Sequence, residues 1–69
     1  MTTATRPTLP PVQQLVYSRI RRATRPLTTD EVADRCSLTR DGARSALMAL
    51  KAKGLVHHMP GRPARWGRV

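Results

Sequence analysis

The chain has 69 residues, with 13 Lys and Arg against four Asp and Glu, for a net charge of +9. That length makes one domain, burying only roughly 60% of the surface its unfolded form exposes. It leaves no room for a second domain, and the basic excess points to a polyanionic partner. With no Phe and one Trp, the core has to come from Leu, Val and Ala, which suits closely packed helices. A single Cys excludes an internal disulfide and is compatible with a reducing compartment. No stretch approaches the roughly 20 apolar residues of a membrane span, and the amino terminus lacks the apolar centre of a signal peptide. A cytoplasmic protein with no membrane partner is the expectation.

Residues 1–10, rich in Thr and Pro, read as a flexible tail preceding one domain at 11–69, with Arg6 the only cation in the tail. From Pro11 the pattern turns helical: Val12, Leu15, Val16, Ile20 and Ala23 share one face at three-and-four spacing. Pro11 suits a first turn, and Pro26 is expected to end this helix. Leu27 and Thr28 form a short extended link. Thr28 and Glu31 then stand at capping-box spacing and open a second helix with Val32, Ala33 and Cys36 inward. Asp30 and Glu31 favour its positive end.

A tight turn at Ser37-Leu38 leads to Thr39, which caps a third helix running to about Lys53. Its inward face is Ala43, Ala46, Leu47 and Leu50. Gly54 is expected to stop it in a left-handed conformation. Beyond Gly54 the helical period disappears. Leu55 to Met59 reads as a strand, Pro60-Gly61-Arg62-Pro63 as a turn and Ala64 to Val69 as a second strand. The fold class is therefore mainly α with a small β-hairpin.

Residues 32–43, Val-Ala-Asp-Arg-Cys-Ser-Leu-Thr-Arg-Asp-Gly-Ala, resemble the helix–turn–helix signature of bacterial repressors. Ala33 lets two helices approach, Leu38 plugs the turn and the capped helix projects outward. Residues 47–56, LMALKAKGLV, look like the end of the recognition helix in winged domains of the MarR and ArsR type. Gly61-Arg62-Pro63 with Arg65-Trp66 looks like their wing, and Gly61, Pro63 and Trp66 are also similar to the wing of Z-DNA-binding winged domains. The resemblance spans about residues 11–69 and implies a three-helix winged helix–turn–helix with helix 39–53 in a DNA major groove and wing 55–69 on backbone or minor groove. Three departures stand out. Ser37 occupies a turn position where Gly is usual, at a backbone cost. Ala43 replaces a branched core residue. No dimerising terminal helix follows the wing, so a monomer or a weak homodimer through the first helix is expected. Arg44 and Met48 stand where Z-DNA binders carry Asn and Tyr.

Winding the third helix puts Asp41, Arg44, Ser45, Met48 and Ala52 opposite its core face, with Arg40 and Lys51 on a flank. A helix entering a major groove needs small or polar residues there and an Arg able to pair two-pronged with guanine. Arg44 is the first base-reading candidate and Arg40 the second. Thr39 offers a cap and a phosphate contact, Arg62, Pro63 and Arg65 form the basic wing, and Trp66 is read as packing, against Met48 in particular. Five or six phosphate contacts imply a log–log salt slope near −5. Arg19, Arg21, Arg22 and Arg25 read as a solvated run.

No motif sets a nucleophile beside a base, so no catalytic residues are assigned and the chain is read as a non-enzyme. His57 and His58, adjacent on a strand, point to opposite faces and make no metal site. No cofactor or small-molecule ligand is implied. The leading expectation is a sequence-specific double-stranded DNA-binding protein, a small transcriptional regulator or repressor. The competing expectations are a winged module binding an acidic partner protein, and a Z-DNA or recombination accessory factor.

Overall fold

The computed structural model describes residues 9–69, so the tail reading, apart from Leu9 and Pro10, and the reading of Arg6 lie outside the described residues. Three helices, α1 (Pro11–Arg22), α2 (Thr29–Cys36) and α3 (Arg40–Ala52), combine with strands β1 (Leu27–Thr28), β2 (Val56–Met59) and β3 (Arg65–Arg68). The strands form one antiparallel sheet in the order β1-β3-β2. This is mainly helical with a small sheet, a layout compatible with a winged helix.

Most element boundaries follow from local chemistry. Pro11 occupies the first turn of α1, where no amide hydrogen bond is forfeited. The capping box forms at α2: Thr28 Oγ1 accepts from the Glu31 amide at 3.1 Å, and the Thr28 amide donates to Glu31 Oε1 at 2.9 Å. Thr39 Oγ1 accepts from the Gly42 amide at 3.0 Å and caps α3.

Helices α2 and α3 end in the same way. After α2, Ser37 lies at φ 55°, its amide donates to Asp34 O, and the Leu38 amide donates to Ala33 O. After α3, Gly54 lies at φ 76°, its amide donates to Lys51 O, and the Leu55 amide donates to Leu50 O. Both are Schellman motifs, and in each the following leucine packs against the core. Only the first places a Cβ in the left-handed region. Ser37→Gly is therefore expected to stabilise the protein by about 0.5–1 kcal/mol, part of the relieved strain being offset by the freedom glycine adds to the unfolded chain. Thermal denaturation followed by circular dichroism should show a rise of a few degrees, at about 4–8 °C per kcal/mol.

The buried residues form one cluster: Val16 and Ile20 from α1, Leu27 from β1, Val32, Ala33 and Cys36 from α2, Ala43, Ala46, Leu47 and Leu50 from α3, and Val56 and Trp66 from the sheet. The inward faces expected of α2 and α3 are all present in it. Ala43 is fully buried, its small side chain bringing α3 close to its neighbours.

Three expectations are corrected. Leu27-Thr28 is not a bare link but a third strand, with Leu27 opposite Trp66 and Thr28 opposite Arg65, so the hairpin is part of a three-stranded sheet. Helix α1 stops at Arg22 rather than near Pro26, because Ala23 is already extended and residues 24–26 carry the chain to the edge of β3. Proline restricts only the residue before it, whereas strand pairing sets the earlier exit. Val12 and Leu15 are exposed although they share spacing with Val16 and Ile20. Only the central and later turns of α1 press on the core.

Glu31 is a second anchor of the α1–α2 junction. Arg25 grips it at 2.7 and 3.3 Å. The Arg25 hydrogen bonds above all, then the Thr28 amide, hold its carboxyl down at about 2. The folded value lies below the ordinary value of about 4.3. The stabilisation is therefore complete above that ordinary value and lost as pH falls through it towards 2. Melting temperature should drop across that window, and Glu31→Gln should flatten this part of the pH profile.

Candidate nucleic-acid interface

Helix α3 is amphipathic in the expected register. With one face in the core, Asp41, Arg44, Ser45, Met48 and Ala52 are exposed on the other, and Arg40 and Lys51 are exposed beside them. Met48 is an exposed large apolar side chain.

The sheet supplies the opposing wall. Residues paired across an antiparallel ladder share a face, so His58 and Trp66 lie together on the inner face of β2 and β3. Their ring centroids are 4.6 Å apart. Trp66 is almost fully buried, and its indole N–H donates to Thr29 Oγ1 at 3.0 Å, joining the sheet to the start of α2. Arg40, Arg44, Met48 and Lys51 from α3 thus line one groove with Thr29, His58, Ala64 and Trp66. Trp66 is part of the buried core, in keeping with its reading as packing, and Met48 lines the same groove.

A second recess continues from it, sharing Arg40, Thr29 and Ala64 and reaching Gly61, Arg62 and Pro63 in the β2–β3 turn. Together the two recesses run along α3 and onto that turn. The only carboxylate lining them is Asp30, 3.4 Å from Arg40. Both partners of that pair are highly exposed, so it contributes little and leaves Arg40 free to turn to another anion.

The sequence-predicted residues therefore separate into groups. Arg40, Arg44, Met48, Lys51, Arg62 and Pro63 converge on the groove and its extension. Thr39 is committed to its cap, at the end of α3 that Arg40 begins. Ser45 is exposed on α3 but lines neither recess. Arg65 stands apart: it pairs with Met59 on the outer face of the sheet and borders a cavity with Arg25, Pro26, Thr28 and Glu31. Arg19, Arg21, Arg22 and Arg25 are not a uniform solvated run either. Arg19 is half-buried, Arg21 lies 5.6 Å from the Tyr17 ring centroid, and Arg25 holds Glu31.

Sequence reasoning missed Thr29, His58 and Ala64 as parts of the groove. Alternation along each strand was readable, but which residue faces Trp66 depends on the register across the turn, and that required the fold. Among the described residues no group of His, Cys, Asp and Glu is placed to hold a metal ion. Cys36 is buried, and desolvation pushes its thiol up, away from the reactive thiolate. No described helix is long and apolar enough to cross a membrane. No protein family matches the chain, and no curated protein matches it.

Proposed function

We propose that this chain is a winged helix–turn–helix protein that binds double-stranded DNA sequence-specifically, as a small transcriptional regulator does. In this reading α3 enters the major groove and the β2–β3 turn lies on the adjoining backbone or minor groove. The observation that carries it is the convergence of Arg40, Arg44 and Lys51 on one groove that continues to Arg62 at the wing.

The physics of each part supports the reading. A B-form major groove, about 12 Å wide, admits one helix. Arg44, at the middle of the outward face, has the fork needed for guanine. Met48 beside it offers an apolar surface to a thymine methyl group. Arg40, Lys51 and Arg62 sit at the borders, where phosphates flank a docked helix. The compact core holds α3 against the sheet, so groove and wing meet the duplex as one preformed surface, with less ordering cost on binding.

Selection of bound duplexes from a random pool, followed by competition binding, tests this directly. A recovered consensus that survives competitor DNA is the expected result. Arg44→Ala should then lower discrimination at one base position by about 1–3 kcal/mol, roughly five- to 150-fold. Arg62→Ala should weaken all sequences alike and reduce the salt slope by about 1. Uniform binding with no recovered consensus, abolished by modest salt, would overturn the proposal and favour an acidic protein partner.

A further inference from the structure

The largest basic concentration outside the α3 groove is on the other side of the sheet. His57, Met59 and Gly67 face outward there, with Arg65 beside them, because they alternate with the inward-facing His58 and Trp66. The end of α1 and the link to β1 bend over this surface. The resulting cleft is lined by Arg21, Arg22 and Arg25 from one side and by His57, Gly67 and Arg68 from the other. Its volume, about 460 Å³, exceeds the 330 Å³ of the α3 groove.

No carboxylate lines this cleft. Glu31 reaches Arg25 from its flank, which leaves Arg21, Arg22 and Arg68 uncompensated by any described ion pair. Arginines at the last turn of α1 have a local explanation, since cations favour the negative end of a helix. Arg68 has none. It closes β3 opposite Val56, on the ladder face of Trp66, and its exposed side chain lines the cleft from the end of the strand; folding thus brings it, from more than 40 positions along the chain, beside the α1 cluster against mutual repulsion. Gly67 lies buried beneath the side chains of Met59 and His57, which floor the recess: a Cβ there would lie 2.9 Å from Met59 Cε and 3.3 Å from His57 Nε2. A guanidinium-rimmed recess suits a phosphodiester backbone, which presents charge without requiring depth.

We infer that this outer cleft is a second nucleic-acid backbone site, so that one molecule bridges two duplex segments, one on α3 and one behind the sheet. The inference rests on the DNA-binding reading of the α3 groove. The α3 groove meets the inner face of the sheet at His58 and Trp66, and the cleft meets the outer face at His57, Met59 and Gly67, so a straight duplex seated on one does not reach the other. The outer site has no base-reading helix, so its binding is indifferent to sequence.

The test uses the full chain with two populations of short duplex, one labelled with a fluorescence donor and one with an acceptor. Energy transfer reports bridging, and anisotropy of one labelled duplex at limiting DNA reports binding to a single segment. Wild-type protein should give energy transfer when duplex is in excess. The Arg22→Gln/Arg68→Gln variant alters two exposed side chains and should require on the order of tenfold more protein to bridge. Its single-duplex affinity and sequence preference should be retained. Arg22→Lys/Arg68→Lys, which keeps the charge, should restore bridging and guards against a folding defect.

Single-duplex binding without energy transfer would overturn the outer site alone. Undiminished bridging by the glutamine variant would also overturn it, assigning bridging to association of copies, for which the exposed Val12 and Leu15 offer a surface. Absence of any duplex binding would overturn both this site and the reading of the α3 groove.

Discussion

Trp66→Ala is expected to destabilise the protein by about 3–5 kcal/mol, the usual cost of emptying a large aromatic site. A domain of 69 residues has only about 3–10 kcal/mol in total, at roughly 0.05–0.15 kcal/mol per residue. The variant should therefore be largely unfolded at room temperature or melt far below the wild type. The reason is position as much as size. Trp66 sits on the central strand, opposite Leu27 on one side and His58 on the other, and its indole donates to Thr29. One side chain thus ties both outer strands and the start of α2 to the core.

Two further substitutions separate these contributions. Trp66→Phe keeps most of the packing and should cost less, the hydrogen bond itself being worth about 1 kcal/mol. Thr29→Val keeps the indole but leaves its N–H without this partner, at about 1–3 kcal/mol. Urea denaturation followed by circular dichroism measures all three variants without relying on the fluorescence of the lone tryptophan. Because Trp66 also walls the α3 groove, the tolerated variants should alter duplex binding through the placement of His58 and Met48.

The second large effect is on affinity rather than stability. Four cations, Arg40, Arg44, Lys51 and Arg62, line the groove and its extension. Under the proposed function each releases about one counterion from B-form DNA, for a log–log salt slope of about −3.6. Between 50 and 200 mM salt, affinity for one short duplex should then fall by roughly 150-fold. Counting basic residues along the chain gives a steeper slope, near −5, but the folded protein sends Arg65 and the α1 arginines to other surfaces. Fluorescence anisotropy across a salt series distinguishes the two values. A slope near −5 on a single duplex would mean that the outer cleft reaches the same segment as α3, against the bridging geometry. A slope near zero would remove the nucleic-acid reading.

The sequence by itself determined that there are three helices, and for α2 and α3 it also determined their caps and inward faces. These depend on interactions within a few residues: a threonine oxygen reaching an amide three positions on, a glycine free to turn left-handed, leucines recurring each turn. The left-handed Ser37 was legible only through the resemblance to a helix–turn–helix signature, in which Gly is usual at that turn position. The exposed face of α3 followed once the buried one was known.

The tertiary structure decided what depends on distant pairing. It made Leu27-Thr28 a strand, since two residues carry no periodicity and only the unpaired edge of β3 recruits them. It ended α1 early for the same reason, and it left Val12 and Leu15 without a covering layer. It divided the basic residues into two surfaces. Charge has no period along a chain, and the alternating faces of the sheet send Arg65 outward while its neighbour Trp66 turns inward. The basic excess pointed to a polyanion from the first count of residues, and only the folded arrangement of helices and strands gathers the cations on two surfaces.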